Sequence, residues 1–257
     1  MSLSIKNSGD YMSNIAFAFT LSTLAGLSTL LGFLPLLFNL KDESSIILKS
    51  LAFASGVMLT VSIIDLIPES YNLLISIFKG FPALLLLLIF LVIGIIFSIL
   101  IDKFLPNNNN KLFHLGIVSM LAIILHNIPE GIATFVATSS DTLLGVSLAI
   151  AIAMHNIPEG ISISVPIYYS TNSKKKAIIY TLVSALSEPF GALIAFIFLR
   201  NIINDIILGI LFAIIAGIML QIAFCELIPT AKRYNNKKYL FIFFLVGVIF
   251  MLFKFII

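Results

Sequence analysis

The sequence predicts an all-α integral membrane protein, with eight transmembrane helices in a single domain over residues 1–257. Hydrophobic residues make up 60% of the chain and charged residues only 11%, whereas about a quarter of the residues of a soluble globular domain are charged. The mean hydropathy is +1.14. At roughly 20 apolar residues per span plus short connections, 257 residues accommodate about eight spans.

Apolar stretches bounded by charged residues, proline, glycine or asparagine locate these spans. We number them spans 1 to 8, predicted at residues 12–38, 47–72, 81–102, 113–139, 142–169, 175–200, 203–231 and 238–256. The first stretch is too long for the apolar core of a signal peptide, so we interpret it as a span.

Basic residues are distributed unevenly between the two sets of alternate loops. Of the fifteen basic residues, one set carries Lys41, Lys49, Lys103, Lys111, Lys174, Lys175, Lys176, Lys232, Arg233, Lys237 and Lys238. The other set carries Lys6, Lys79, Arg200 and Lys254. Because cytoplasmic loops are enriched in Lys and Arg, the first set is predicted inside and both termini outside. The net charge of +3 is too small to indicate nucleic acid as a partner; the lipid bilayer is the expected one.

Spans 2 and 7 carry similar sequences. GVMLTVSIIDLIP at residues 56–68 matches GIMLQIAFCELIP at residues 217–229, with the acid and the Leu-Ile-Pro in register. The two spans are five helices apart and therefore cross the bilayer in opposite directions. This predicts an inverted repeat, with spans 1–3 related to spans 6–8 and span 4 to span 5. Inverted repeats are typical of secondary transporters, so a carrier is a first hypothesis.

Spans 4 and 5 each contain the hexapeptide HNIPEG, at residues 126–131 and 155–160. Residues four apart share one helix face, so His126 with Glu130, and His155 with Glu159, are predicted to point toward a common neighbour. Ionisable groups inside a membrane are costly and mark functional sites. Two imidazoles and two carboxylates at similar depth predict a site for a divalent cation.

The chemistry of these side chains suits transition metals. Mixed nitrogen and oxygen ligands favour Zn²⁺, Fe²⁺, Co²⁺ or Mn²⁺ over Mg²⁺ and Ca²⁺, which prefer oxygen alone. Asn127 and Asn156 offer amide oxygens toward a second position, or else polar contacts between helices. Glu188 in span 6 is another acid followed by proline, and we expect it to face the same cavity, as an alternative to a role in helix contact.

The prolines and glycines of the two hexapeptides indicate local backbone features. Pro129 and Pro158 cannot donate to the carbonyl groups of Leu125 and Met154, which predicts a kink or loosening one turn before each glutamate. The glycines that follow each glutamate favour close helix packing.

Paired HNxPEG motifs, a Ser-Glu-Pro in the sixth helix, eight spans and external termini resemble the ZIP (Zrt/Irt-like) family of divalent metal transporters, and within it the bacterial ZupT type. The resemblance covers nearly the whole chain. It implies transport of zinc, and also of iron, manganese, cobalt and cadmium, into the cytoplasm across the plasma membrane. It implies a binuclear centre, no catalytic cofactor and a homodimer.

The resemblance also assigns ligands. One metal would be held by His126, Glu130, His155 and Glu159, and the other by Asn127, Glu130, Asn156, Glu159 and Glu188. With this orientation Asp65 and Glu69 lie toward the outer face and Glu226 toward the inner one, where they mark the two ends of a transport pathway or else are solvated helix ends.

Two other functional classes stay open. An intramembrane metalloprotease would also place His and Glu on a zinc ion, although HExxH, in which glutamate lies between the histidines, does not occur. A metal-lined channel is the third class, and flux that does not saturate with metal concentration would distinguish it from a carrier.

Overall fold

The computed structural model describes residues 8–37, 42–105, 110–199 and 204–253, and within these ranges the chain is helical, with no β-strand. Its α-helices are α1 (Ser8–Ser28), α2 (Glu43–Thr60), α3 (Ile67–Ile75), α4 (Phe81–Phe104), α5 (Lys111–Ser140), α6 (Thr142–Thr171), α7 (Lys174–Ala185), α8 (Ser187–Ile194), α9 (Asp205–Gln221), α10 (Ile228–Lys232) and α11 (Lys237–Leu252). A 3-10 segment, Thr29–Leu36, follows α1.

Seven of these helical units are long and apolar enough to cross a membrane. They correspond to predicted spans 1 to 7, in which α2 with α3, α7 with α8, and α9 with α10 each form one unit. Predicted span 8 corresponds to α11, of which 16 residues are described. The helix ends lie within a few residues of the predicted ones. Lys6, Lys41, Arg200, Lys254 and the asparagines at 107–109 lie outside the described residues.

Most spans begin at a side chain that caps the helix. Asp141 accepts hydrogen bonds from the backbone N–H groups of Leu143 and Leu144, and Asn110 caps span 4 in the same way. Such caps satisfy N–H groups that the helix leaves without a partner, and they sharpen the loop boundaries. Spans 4 and 5 are therefore two 30-residue helices joined through the single residue Asp141. Their tight connection fixes them as antiparallel neighbours.

In the part of the chain that the structure describes, three spans contain π-helical segments. Val61–Leu66 joins α2 to α3, and Ile222–Leu227 joins α9 to α10. These two segments occupy the same positions in the aligned sequences of spans 2 and 7. The third, Ala195–Leu199, follows α8 in span 6. The sequence did not predict any of them.

Spans 4 and 5 lie at the centre of the bundle, in contact with spans 1 and 6. Gly131 lies against the backbone carbonyl of Glu188 in span 6, and Gly160 lies against the backbone carbonyl of Thr29 in span 1. A Cβ atom at either glycine would overlap those carbonyls, so the predicted role of both residues in close helix packing is confirmed. Span 3 lies at the periphery, with most of its long apolar side chains exposed.

Candidate metal centre

The histidines and glutamates of the two hexapeptides converge between spans 4 and 5. His155 Nε2 lies 2.9 Å from Glu130 Oε1. His126 Nε2 lies 3.3 Å from Glu130 Oε1 and 3.2 Å from Glu159 Oε1. All four residues are at most 5% exposed. Each glutamate therefore reaches the imidazole of the other span. The His and Glu of each hexapeptide point toward the other hexapeptide, which is the common neighbour expected from the sequence.

The spacing of these atoms matches a shared cation. Nitrogen and oxygen atoms of His126, His155 and Glu159 all lie within 4.8 Å of one another, and the two imidazole ring centres are 6.0 Å apart. Ligands at 2.0–2.2 Å from a tetrahedral zinc ion are separated by about 3.3 Å. Small rotations of these side chains would therefore bring them to a common ion.

The two asparagines present their amide oxygens to the same region. Asn156 Nδ2 donates to the carbonyl oxygen of Ala25 at 3.0 Å and to Glu188 Oε2 at 2.9 Å. Asn127 Nδ2 donates to the carbonyl oxygen of Ser184 at 3.4 Å. These bonds commit the amide nitrogens to the neighbouring helices, so the amide oxygens remain for a cation.

Glu188, the acid that the sequence analysis associates with this site, lies next to Asn156. Its side chain is fully buried, and the bond to Asn156 links span 6 to span 5. Together with Glu130 and Glu159 it brings three carboxylates into one buried region. Three buried carboxylates without counter-charge are strongly unfavourable, so cations or protons are needed to balance them.

Unpartnered buried atoms within the described residues concentrate in this centre. Each such atom costs about 1–3 kcal/mol if nothing satisfies it. Eight of these atoms are His126 Nδ1 and Nε2, Asn127 Oδ1, Glu130 Oε2, Asn156 Oδ1, Glu159 Oε1 and Oε2, and Glu188 Oε1, and the other four are the hydroxyl oxygens of Thr29, Ser119, Thr134 and Ser184. His126 Nε2 lies near carboxylate oxygens of Glu130 and Glu159, but neither contact has the geometry of a hydrogen bond. Buried nitrogen and oxygen atoms without hydrogen-bond partners are suitable ligands for a divalent transition-metal substrate.

The prolines do not interrupt the helices that carry the centre. Both α5 and α6 continue as α-helices through Pro129 and Pro158. The freed carbonyls therefore belong to continuous helices, and the predicted loosening does not divide either span into two helices. The buried side chains are held on an extended, regular scaffold.

A cavity of about 400 Å³ leads from one face of the bundle to the centre. Its inner end is lined by Glu130 and His155, and its outer part by Asp65, Glu69 and Asn72 of span 2. Asp65 is half-buried and Glu69 is exposed. The two acids predicted at the outer end of the pathway thus line the same cavity as Glu130 and His155.

Glu226 is not among the residues that line this cavity. It is half-buried in the π-helical segment of span 7 and interacts with Asp102 and His114. His114 Nε2 lies 2.7 Å from Asp102 Oδ1. Sequence reasoning missed this cluster because its members come from spans 3, 4 and 7. Of its members the sequence analysis singled out only Glu226, and the adjoining basic residues Lys103 and Lys111 were a further signal near it.

The chain matches known families over most of its length. The sequence model of the ZIP zinc transporter family matches residues 107–254. The zinc transporter ZupT of Clostridium perfringens is 40% identical over 259 aligned positions, which cover 89% of this chain and 91% of the relative. The zinc transporter ZupT of Chlorobium chlorochromatii is 40% identical over 246 positions, covering 88% and 91%. That of Streptococcus mutans is 39% identical over 234 positions, covering 85% and 89%.

The two hexapeptides, the membrane-length helices and these sequence matches all indicate the same family. The chain belongs to the ZIP family of zinc transporters.

Proposed function

We propose that this protein carries Zn²⁺, and also Fe²⁺, Mn²⁺, Co²⁺ and Cd²⁺, across a membrane through the centre between spans 4 and 5. The observation that carries this proposal is the convergence of His126, Glu130, His155 and Glu159, buried and with unpartnered ligand atoms. ZIP and ZupT relatives named as zinc transporters supply the substrate class.

The centre has room for two cations in the proposal. His126, Glu130, His155 and Glu159 hold one ion, and Glu130 and Glu159 bridge to a second held by Asn127, Asn156 and Glu188. The hydrogen bond from Asn156 to Glu188 supports this assignment of ligands to two positions, because it brings the side chains of these two residues together. Amide and carboxylate oxygens are harder ligands than imidazole, so the second position accepts a wider range of divalent ions.

The pathway runs from the cavity lined by Asp65 and Glu69 to the cluster of Asp102, His114 and Glu226. We assign the first end to the outside and the second to the cytoplasm, because Lys103 and Lys111 adjoin the second. This places both termini outside in the plasma membrane, with metal moving inward.

The architecture in the proposal consists of eight spans with inverted repeats. The π-helical segments at matching positions of spans 2 and 7 support the repeat, since two unrelated helices rarely share such a feature in register. Repeats of opposite orientation give outward-open and inward-open states of similar energy around a central site. We also propose a homodimer, on the family resemblance; chemical cross-linking in native membranes tests it.

The direct test is uptake of radioactive zinc into proteoliposomes by the purified protein and by Glu130→Ala. Removal of one carboxylate that contacts both imidazoles should reduce uptake to background while the protein still inserts. Glu43→Gln, an exposed acid outside the centre, is the control and should retain full uptake. Unchanged uptake by Glu130→Ala would contradict the proposal.

Two measurements in the same vesicles separate the other classes. A carrier gives a rate that saturates with zinc concentration, and a channel gives flux that continues to rise. Cleavage of a membrane peptide by the zinc-loaded protein would favour a metalloprotease over transport.

A further inference from the structure

Spans 1 and 6 carry a similar sequence where they cross the metal centre. Residues 25–32 read AGLSTLLG and residues 184–191 read SALSEPFG, with the Leu-Ser pair and the final glycine in register. This alignment places Thr29 of span 1 at the position that Glu188 occupies in span 6. The pairing follows the same inverted relationship as that of spans 4 and 5.

Backbone carbonyl groups at aligned positions of spans 1 and 6 accept equivalent hydrogen bonds. The carbonyl oxygen of Ala25 accepts hydrogen bonds from Asn156 and from Ser28 Oγ at 2.6 Å. The carbonyl oxygen of Ser184 accepts hydrogen bonds from Asn127, in the other copy of the hexapeptide, and from Ser187 Oγ at 2.6 Å. Each outer span therefore receives one motif asparagine and one of its own serines at an equivalent carbonyl.

The close contacts one turn further along also correspond. Gly160 lies against the carbonyl group of Thr29, and Gly131 lies against the carbonyl group of Glu188. The backbone carbonyl of Thr29 thus lies beside Gly160, the residue that follows Glu159 in span 5. Glu188 has the equivalent relation to span 4.

The hydroxyl of Thr29 is left without a partner by these contacts. The buried threonines Thr60, Thr138 and Thr181 donate to the carbonyl four residues earlier in their helices, whereas the hydroxyl of Thr134 in span 4, like that of Thr29, forms no hydrogen bond. For Thr29 that carbonyl belongs to Ala25, whose two lone pairs are already used. Thr29 is fully buried, and Oγ1 forms no hydrogen bond with any described group.

We propose that the Thr29 hydroxyl is an uncharged oxygen donor to the transported divalent cation, at the position in span 1 that Glu188 occupies in span 6. This proposal rests on the proposed function of the centre. It makes the centre asymmetric, because one half of the repeat supplies a carboxylate and the other supplies a hydroxyl. The charge of the ligands sets affinity for a divalent ion. Three carboxylates in place of four therefore hold the cation less tightly and favour its release.

The test compares Thr29→Val, which removes the hydroxyl at nearly constant volume, with Thr29→Ser, which keeps it. Concentration-dependent zinc uptake into proteoliposomes gives KM and the maximal rate for each. We expect Thr29→Val to raise KM on the order of fivefold, while Thr29→Ser stays within about twofold of the parent protein. Thr181→Val is the matched control, because Thr181 is equally buried but bonded to the carbonyl of Ala177.

An unchanged KM in Thr29→Val, with Glu130→Ala inactive, would overturn this inference and leave the proposed function standing. Equal increases of KM in Thr29→Val and Thr181→Val would also overturn it, since both would then reflect packing. Activity in Glu130→Ala would instead refute the proposed function. If Thr29→Val is not monodisperse, Thr29→Ala removes the same oxygen and is measured in its place.

Discussion

Two pairs of inversely oriented helices share repeated sequences, yet their backbones differ. Spans 4 and 5 keep regular α-helical structure through Pro129 and Pro158, whereas spans 2 and 7 become π-helical shortly before Pro68 and Pro229. A proline alone therefore does not decide whether a span is distorted. The packing around each proline differs between the two pairs.

The glycine after each glutamate distinguishes the central pair. Gly131 and Gly160 bring spans 4 and 5 against the backbones of spans 6 and 1, which leaves little room for a change of helical geometry. Asp65 and Glu226, in the π-helical segments, are only half-buried. In the function proposed above, the closely packed spans 4 and 5 hold the cation, and the π-helical segments of spans 2 and 7 present acids along its path.

The largest expected difference is between Glu159→Gln and Glu226→Gln. Loss of a metal ligand at the centre should reduce zinc uptake by at least about 100-fold. A half-exposed acid on the pathway contributes less, and we expect a reduction of up to about fivefold. Uptake assays in proteoliposomes with equal amounts of inserted protein measure both. Equal effects of the two variants would remove the distinction between centre and pathway.

The second comparison concerns the close contact at Gly131. A Cβ atom in Gly131→Ala overlaps the carbonyl of Glu188 and displaces this proposed ligand, so we expect KM for zinc to rise about tenfold. Gly80→Ala is the control: its φ of +72° is unfavourable for alanine, but its surroundings are open. Both variants should lose thermal stability, and only Gly131→Ala should change KM. A normal KM in Gly131→Ala would show that the contact does not position Glu188.

A smaller effect is expected at the outer end of the cavity. Asp65→Asn removes a negative charge that attracts cations toward the centre, which should raise KM about threefold at low ionic strength. The effect should shrink as salt is added, because screening shortens the range of the charge. KM values measured over a salt series check this, with Glu43→Gln as the control. A change in KM that is independent of salt would point to a direct ligand instead.

The smallest effect is expected for Pro129→Ala. Span 4 is already continuous through this residue, so restoring the missing N–H should leave zinc uptake within about twofold of the parent protein. A fall of fivefold or more would show that the freed carbonyl of Leu125 takes part in transport.

Much of the fold follows from the sequence because hydrophobic stretches in a membrane have to be helical and of a set length. Convergence of the two hexapeptides was also predictable, since their residues share one face and the spans are adjacent. The π-helical segments were not, because helix geometry near Pro68 and Pro229 depends on packing between distant spans. The cluster of Asp102, His114 and Glu226 depends on long-range packing in the same way.

The most direct test is X-ray absorption spectroscopy at the zinc edge, on purified protein loaded with about one equivalent of zinc. We expect nitrogen and oxygen ligands at about 2.0–2.1 Å and the outer-shell signal of two imidazoles. The double variant His126→Ala/His155→Ala should lose the imidazole signal. A spectrum of oxygen ligands alone, or one that the double variant does not change, would contradict a cation held between spans 4 and 5.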